Sequence, residues 1–382
     1  MALIIAGSKV MEQPYRPALL DELLEMFAVL ETDLVDVPVV QSAAPFLDAV
    51  GEDLRRKIFM TENDSGASLC LRPDFTIPIC LHHLNSGLSA QKRYSYLGTV
   101  FRQQRHGPSE IMQGGIEDIG DANIPLADAR AIADAYGIAK RLTRSTDLSA
   151  IVGDQAMFEA VIRALGLPSG WQRRLVRAFG NTAQIEILLA KLDVETPAAG
   201  FDPAVSAIIG TRDQERLSGY IATFMKEAGY TTSRSRSPNE IASRLLEKME
   251  MDGTRLSHAN LEALRLFLGL EMPLADAPAA LHRFLRDNGL IVDVGLGDFE
   301  TRVQALADTD IDMDRVSYKA GFGRHLDYYT GLVFEITRHK NAAVLVGGGR
   351  FDRLLSFLGS ETDIPAVGFS LWPELLYRNE TT

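Results

Sequence analysis

The sequence predicts an α+β protein, an antiparallel sheet flanked by helices and interrupted by a helical insertion. Three observations carry this. Strand-like runs cluster toward the two ends of the chain, at 34–40, 68–71, 96–102 and 112–119, and again from Val316 onward. Between them, about 150 to 310, successive segments show helical periodicity. Runs 96–102 and 112–119 flank a polar loop, Gln103 to Glu110, whose Gly107-Pro108 pair has turn chemistry, so the second run should return antiparallel to the first. The expected division is a sheet core over 1–149 and 311–382, with a mainly helical insertion over 150–310.

The elements follow in order. Residues 1–16 show no regular period and read as a loose arm. From Pro17 to Thr32, Leu20, Leu23, Leu24, Phe27 and Leu30 recur at helical spacing. Leu34 to Val40 reads as one short strand broken by Pro38, which places it at an edge. Ser68 to Leu71 is a strand running into Arg72-Pro73-Asp74-Phe75-Thr76, and the alanine-rich 126–142 is helical. In the middle, Met157 to Leu165, Ile185 to Leu192, Glu240 to Met249 and Leu261 to Leu268 are helical, with breaks at 167–170, 196–197 and 235–238. Their apolar faces are core. Ala342 to Val346 leads into Gly347-Gly348-Gly349, where backbone N–H groups could cradle a phosphate or the glycines could serve a tight turn. Ile364 to Leu376 reads as a strand entering a short helix, with Pro373 in its first turn.

Composition narrows the function. The chain has 382 residues, 46% hydrophobic and 24% charged, ordinary values for a soluble globular protein. Its net charge of −12 is the opposite of the basic footprint of a nucleic-acid binder. Cys70 and Cys80 are the only cysteines, too few for a disulfide framework or a thiolate zinc site, and they read as buried thiols. No metal or cofactor is expected. The Ala-Leu-Ile-Ile-Ala run is too short for a signal peptide, and no apolar run reaches membrane-spanning length. A cytoplasmic protein is expected.

The most chemically dense stretch is Gly323 to Glu335. It holds a guanidinium, a carboxylate and two phenols within six residues, Arg324, Asp327, Tyr328 and Tyr329. Such a set suits a small zwitterion, the guanidinium for a carboxylate and a phenol for a neutral hydrogen-bonding edge. It equally suits a strand whose tyrosines pack and whose Arg324 pairs with Asp327. Gly321, Gly323 and Gly331 allow close approach of backbone or ligand.

Arg324 to Glu335 resembles the histidine-specific signature of histidyl-tRNA synthetases, Arg-Gly-Leu-Asp-Tyr-Tyr-Thr-Gly-x-Val-Phe-Glu, with His325 in place of the glycine. The resemblance implies a class II synthetase-like core, and it places Pro38 where the dimer-forming motif of that class ends. It also implies roles. Asp74 and Thr76, in Arg-Pro-Asp-Phe-Thr, correspond to the family's Arg-Pro-Glu-Gly-Thr, which grips an α-amino group, and Gln113 to the glutamine that helps there. Glu117 corresponds to the acid facing the imidazole, and Tyr329 to the phenol on its other side with Tyr328 beside it. Arg324 corresponds to the arginine by the carboxylate. Arg102, in Phe-Arg-Gln-Gln-Arg, corresponds to the class II arginine that holds carboxylate and α-phosphate.

On the ATP side the chain departs from the pattern. Gln104 stands where the family has an adenine-reading acid. The following loop is short and carries Ser109 and Glu110 where cations are expected. Leu375 replaces the arginine of the last motif. Transfer chemistry on a triphosphate depends on cationic groups holding the polyanion, so adenylation should be absent. The chain ends where a synthetase would begin its anticodon-binding domain, so no tRNA partner is expected. A histidine pocket without ATP chemistry resembles the regulatory subunits of ATP phosphoribosyltransferase. That resemblance implies a non-catalytic, homodimeric histidine sensor working with a short-form catalytic subunit. The alternatives are a divergent histidine-activating ligase with a substrate other than tRNA, and a structural partner that has lost histidine binding.

Overall fold

The computed structural model describes residues 17–49, 51–87, 90–193, 203–228, 237–292, 295–324, 328–338 and 343–377. The expected arm at 1–16, the break at 196–197 and the Arg324–Asp327 pairing lie outside them.

Twelve strands are described: β1 (Asp33–Leu34), β2 (Val40–Ser42), β3 (Met60–Glu62), β4 (Ser68–Leu71), β5 (Lys92–Phe101), β6 (Glu110–Ile119), β7 (Ser149–Asp154), β8 (Glu271–Pro273), β9 (Val316–Lys319), β10 (Leu332–Thr337), β11 (Val344–Arg350) and β12 (Ala366–Leu371). Nine form one sheet in the order β1-β5-β6-β12-β11-β10-β7-β9-β8, and β2-β4-β3 form a second. The six strands from β5 to β7 are antiparallel, and the β1–β5 and β7–β9 pairs are parallel. The α+β class is as expected, with a sheet that is mixed at its flanks.

Three local expectations need correction. Leu34 to Val40 is not one interrupted strand. Leu34 ends β1 in the large sheet and Val40 opens β2 in the small one, with Pro38 in the crossing between them. Pro38 has no N–H to donate, which suits it to the link rather than to either ladder. Secondly, the segment 150–310, expected to be mainly helical, also supplies strands to the large sheet. Its first residues belong to β7, which pairs along its whole length with β10, and β8 extends the sheet beyond β9. Thirdly, Gly347-Gly348-Gly349 is neither a phosphate loop nor a strand-to-helix turn. All three lie inside β11, paired to β10 and β12.

Pleating separates two cores. Leu332, Phe334 and Ile336 of β10 point to one face, where the helix Ile124–Thr143 and the helices of the middle segment pack. Val333 points to the other face and joins Tyr94 and Tyr96 of β5 with Phe75, Ile77 and Cys80. Cys70 and Cys80 are buried free thiols, as expected. Among the described residues, no helix is long and apolar enough to cross a membrane, and no cluster of His, Cys, Asp and Glu could hold a metal ion.

Candidate functional site

The second face of the sheet carries a cavity of about 510 Å3. Its floor follows from strand register. One row across the sheet reads Tyr96, Gly115, Ser370, Gly347, Glu335; the next reads Tyr94, Glu117, Gly368, Gly349, Val333. In the first row glycines alternate with polar side chains, and in the second two adjacent glycines follow Glu117. A Cβ on Gly347 would overlap the Arg324 guanidinium, and one on Gly368 would overlap Glu117 Oε2. The missing side chains make the room the functional ones occupy.

All eight residues singled out in the sequence line this cavity: Asp74, Thr76, Arg102, Gln113, Glu117, Arg324, Tyr328 and Tyr329. Thr76 opens the helix Thr76–Asn85, and its Oγ1 donates to Glu117 Oε1 at 2.7 Å. Arg102, just past β5, donates from Nε to the Pro73 carbonyl at 2.7 Å, leaving the rest of its guanidinium to the cavity. Arg324 Nη1 lies 3.3 Å from Glu335 Oε1 and 3.4 Å from the Phe334 carbonyl. Tyr328 and Tyr329 have ring centroids 5.2 Å apart, and Tyr328 meets Phe351 edge-on.

Asp74 Oδ2, Gln113 Oε1 and Glu117 Oε2 are buried and have no hydrogen-bond partner among the described residues. Burial pushes the Glu117 carboxyl up to about 8; the Thr76 hydrogen bond pulls it down and neighbouring Asp74 raises it again. Burial also raises Asp74, against the pull of the Arg102 guanidinium. Burial raises Tyr329 to about 12, so it is a neutral phenol at any physiological pH. Two acids and an amide therefore present buried oxygens without partners among the described residues, in the same cavity as two guanidiniums.

The sequence reading missed several lining residues: Lys57, Glu335, Phe322, Ser370 and Trp372. Ser370 accepts or donates with the Tyr96 hydroxyl at 2.8 Å, which fixes the ring beneath the floor. Strand glycines facing Arg324 and Glu117 were the available signal for the floor. The residues on the ATP side fall elsewhere: Gln104 is exposed in the loop, and Leu375 packs against the main core.

A class II synthetase-like sheet with a polar cavity on one face is the type of protein this geometry defines, and comparison with known proteins agrees. The profile of the histidyl-tRNA synthetase family matches residues 11–214 and 239–376. A solved structure described as an ATP phosphoribosyltransferase regulatory subunit/histidyl-tRNA synthetase from Bacillus halodurans superposes with a TM-score of 0.63, covering 97% of this chain and 83% of that one at 19% identity. At that identity the likeness speaks for the fold. Closer relatives resolve the branch. The ATP phosphoribosyltransferase regulatory subunit of Rhizobium rhizogenes is 53% identical over 93% of this chain and 96% of its own, and that of Rhizobium etli is 54% identical over 92% and 94%. The chain belongs to the histidyl-tRNA synthetase-like family of ATP phosphoribosyltransferase regulatory subunits.

Proposed function

We propose that this chain is a non-catalytic subunit that binds L-histidine in the cavity and so imposes feedback control on short-form ATP phosphoribosyltransferase, the first step of histidine biosynthesis. One observation carries the reading: the unpaired acceptors of Asp74, Gln113 and Glu117 share a cavity with the guanidiniums of Arg102 and Arg324. An ammonium supplies three donors and a carboxylate takes two guanidiniums, so a free amino acid answers both sets at once. Glu117 beside Tyr329 suits a side chain that both donates and accepts, as imidazole does. With Leu375 in the core and Gln104 exposed in the loop, neither supplies a cation or an acid for ATP, which supports a sensor rather than a ligase. The working form is a cytoplasmic homodimer joined to catalytic subunits, with no tRNA and no metal or cofactor.

Isothermal titration calorimetry should show stoichiometric binding of L-histidine, while histidine-dependent ATP–pyrophosphate exchange stays at the no-protein background. Robust exchange would return the chain to the ligases. Absent binding would leave only a structural partner.

Binding should also depend on pH in a specific way. With Glu117 at about 8 in the empty cavity and free imidazole near 6.5, the complex at neutral pH holds one proton between the two groups. Below about 6.5 one proton must be released on binding, and above about 8 one must be taken up. Affinity should therefore peak between these limits and fall on both sides. In Glu117→Gln the decline beginning near pH 8 should disappear. An affinity that is flat from pH 5.5 to 9 would contradict this arrangement.

A further inference from the structure

Where the resembled Arg-Pro-Glu-Gly-Thr run has a glycine before its threonine, this chain has Phe75. The ring is buried and stacks on Tyr96 of β5, with centroids 4.5 Å apart and planes 16° from parallel. The Arg72 guanidinium covers the same ring, 4.3 Å from its centroid. This stacking pins the turn to β5. The next residue, Thr76, then opens its helix against Glu117 of β6, the strand paired to β5. Thr76 is buried and β-branched, so its hydroxyl has little rotational choice.

A hydroxyl has one proton to give. Here it goes to Glu117 Oε1 at 2.7 Å. Toward an ammonium, the contact that the resemblance implies for it, Thr76 can then only accept. Glu117 is also confined on its other side. A Cβ at position 368 would lie 1.8 Å from Oε2, so that oxygen sits in the space over Gly368. One carboxyl oxygen is held, while the other is buried without a partner among the described residues, on a side chain that lines the cavity.

We propose that Thr76 is a positioning residue for Glu117, holding Oε1 so that Oε2 alone meets the imidazole of bound histidine. The role rests on the functional reading above and deepens it. A carboxyl free to rotate would offer the ring either oxygen. Held at Oε1, it offers one direction, and the hydrogen bond favours its ionised form. The other groups around Glu117 stay in place when the hydroxyl is removed. They are Asp74 and Cys80 on the segment that carries Thr76, Tyr96 on β5, Tyr328 and Tyr329 on the cavity wall, and the Arg102 and Arg324 guanidiniums.

The test uses the full chain with Thr76→Val, which keeps the shape and loses the hydroxyl, and Thr76→Ser, which keeps the hydroxyl. Thr76→Ala removes the hydroxyl by a second route. Each is titrated with L-histidine in a calorimeter from pH 5.5 to 9. At pH 7 the valine and alanine variants should bind about tenfold more weakly. Their decline beginning near pH 8 should move to higher pH, because Glu117 has lost a bond to its ionised form. The decline below about 6.5 belongs to free imidazole and should stay where it is. Serine should restore both affinity and profile. A merely structural loss would lower affinity alike at every pH. In the ligand-free protein, the protonated-carboxyl infrared band that Glu117→Gln removes should titrate at higher pH in the valine variant than in the parent. An unmoved band, or a uniform loss of affinity with both limits in place, overturns the role of Thr76 and leaves the functional reading standing. A parent that binds no histidine sinks the functional reading and this role with it, whatever the band does.

Discussion

Arg324→Ala should weaken L-histidine binding by about 30-fold to several thousand-fold, the 2–5 kcal/mol typical of removing one partner from a buried charge-assisted contact. The Arg324 side chain is only 14% exposed and occupies the space that Gly347 leaves open. Its Nε is buried without a hydrogen-bond partner among the described residues. Removing it forfeits the contact to the ligand carboxylate. It also leaves Glu335, now 3.3 Å from Arg324, as an uncompensated negative charge on the cavity wall. Tyr329→Phe removes one neutral hydrogen bond and should cost only about 0.5–1.5 kcal/mol. Calorimetric titration of both variants checks the ranking, and circular dichroism checks that they fold. If both bind histidine as the parent does, the ligand sits elsewhere. The same Arg324→Ala chain should also free the catalytic subunit from inhibition by histidine.

The second large effect is on stability. Asp128 is wholly buried on the helix Ile124–Thr143 and accepts from Arg302 Nε at 2.8 Å and Arg350 Nε at 2.7 Å. Arg302 also donates to Asp154 at 2.7 Å, and Arg350 to Asp352 at 2.7 Å. Both outer carboxylates do further structural duty: Asp154 accepts from the Met157 N–H to cap the helix Gln155–Ala164, and Asp352 accepts from the Ala366 N–H at the start of β12. Asp128→Ala would leave two guanidiniums buried without their shared counter-charge. A loss of about 3–5 kcal/mol is expected, read as a lower urea midpoint with an unchanged slope. A midpoint equal to the parent's would mean that water or rearrangement replaces the carboxylate without cost.

How much of this was legible in the sequence depended on whether a feature is local. The pocket residues were found because they fall in short contiguous runs, Asp74 with Thr76, Gln113 with Glu117, and Arg324 with Tyr328 and Tyr329. The β5–β6 hairpin announced itself through its Gly-Pro loop. Other features depend on what a residue meets far along the chain. Gly347 looked like part of a loop because nothing nearby in sequence says that Arg324 lies over it. Asp128 and Arg350 are 222 residues apart, and nothing near either in sequence announces that the fold joins them. Ser149 to Asp154 is a six-residue strand opening a long helical stretch, and its pairing with β10 is likewise decided by a distant partner. The division of Leu34 to Val40 between two sheets has the same origin, since a run of β-formers does not specify which neighbour each half will find.

The glycine floor has an evolutionary side. At two positions, 347 and 368, any added methyl would overlap the Arg324 guanidinium or the Glu117 carboxylate. Glycine to alanine is a single-nucleotide change in every glycine codon. On the proposed function, one such step at position 347, where the overlap is with side-chain atoms alone, would abolish the histidine response while retaining the fold and the buried ion-pair network. Variants selected for escape from the proposed histidine control should therefore accumulate at Gly347 as readily as at the charged residues themselves.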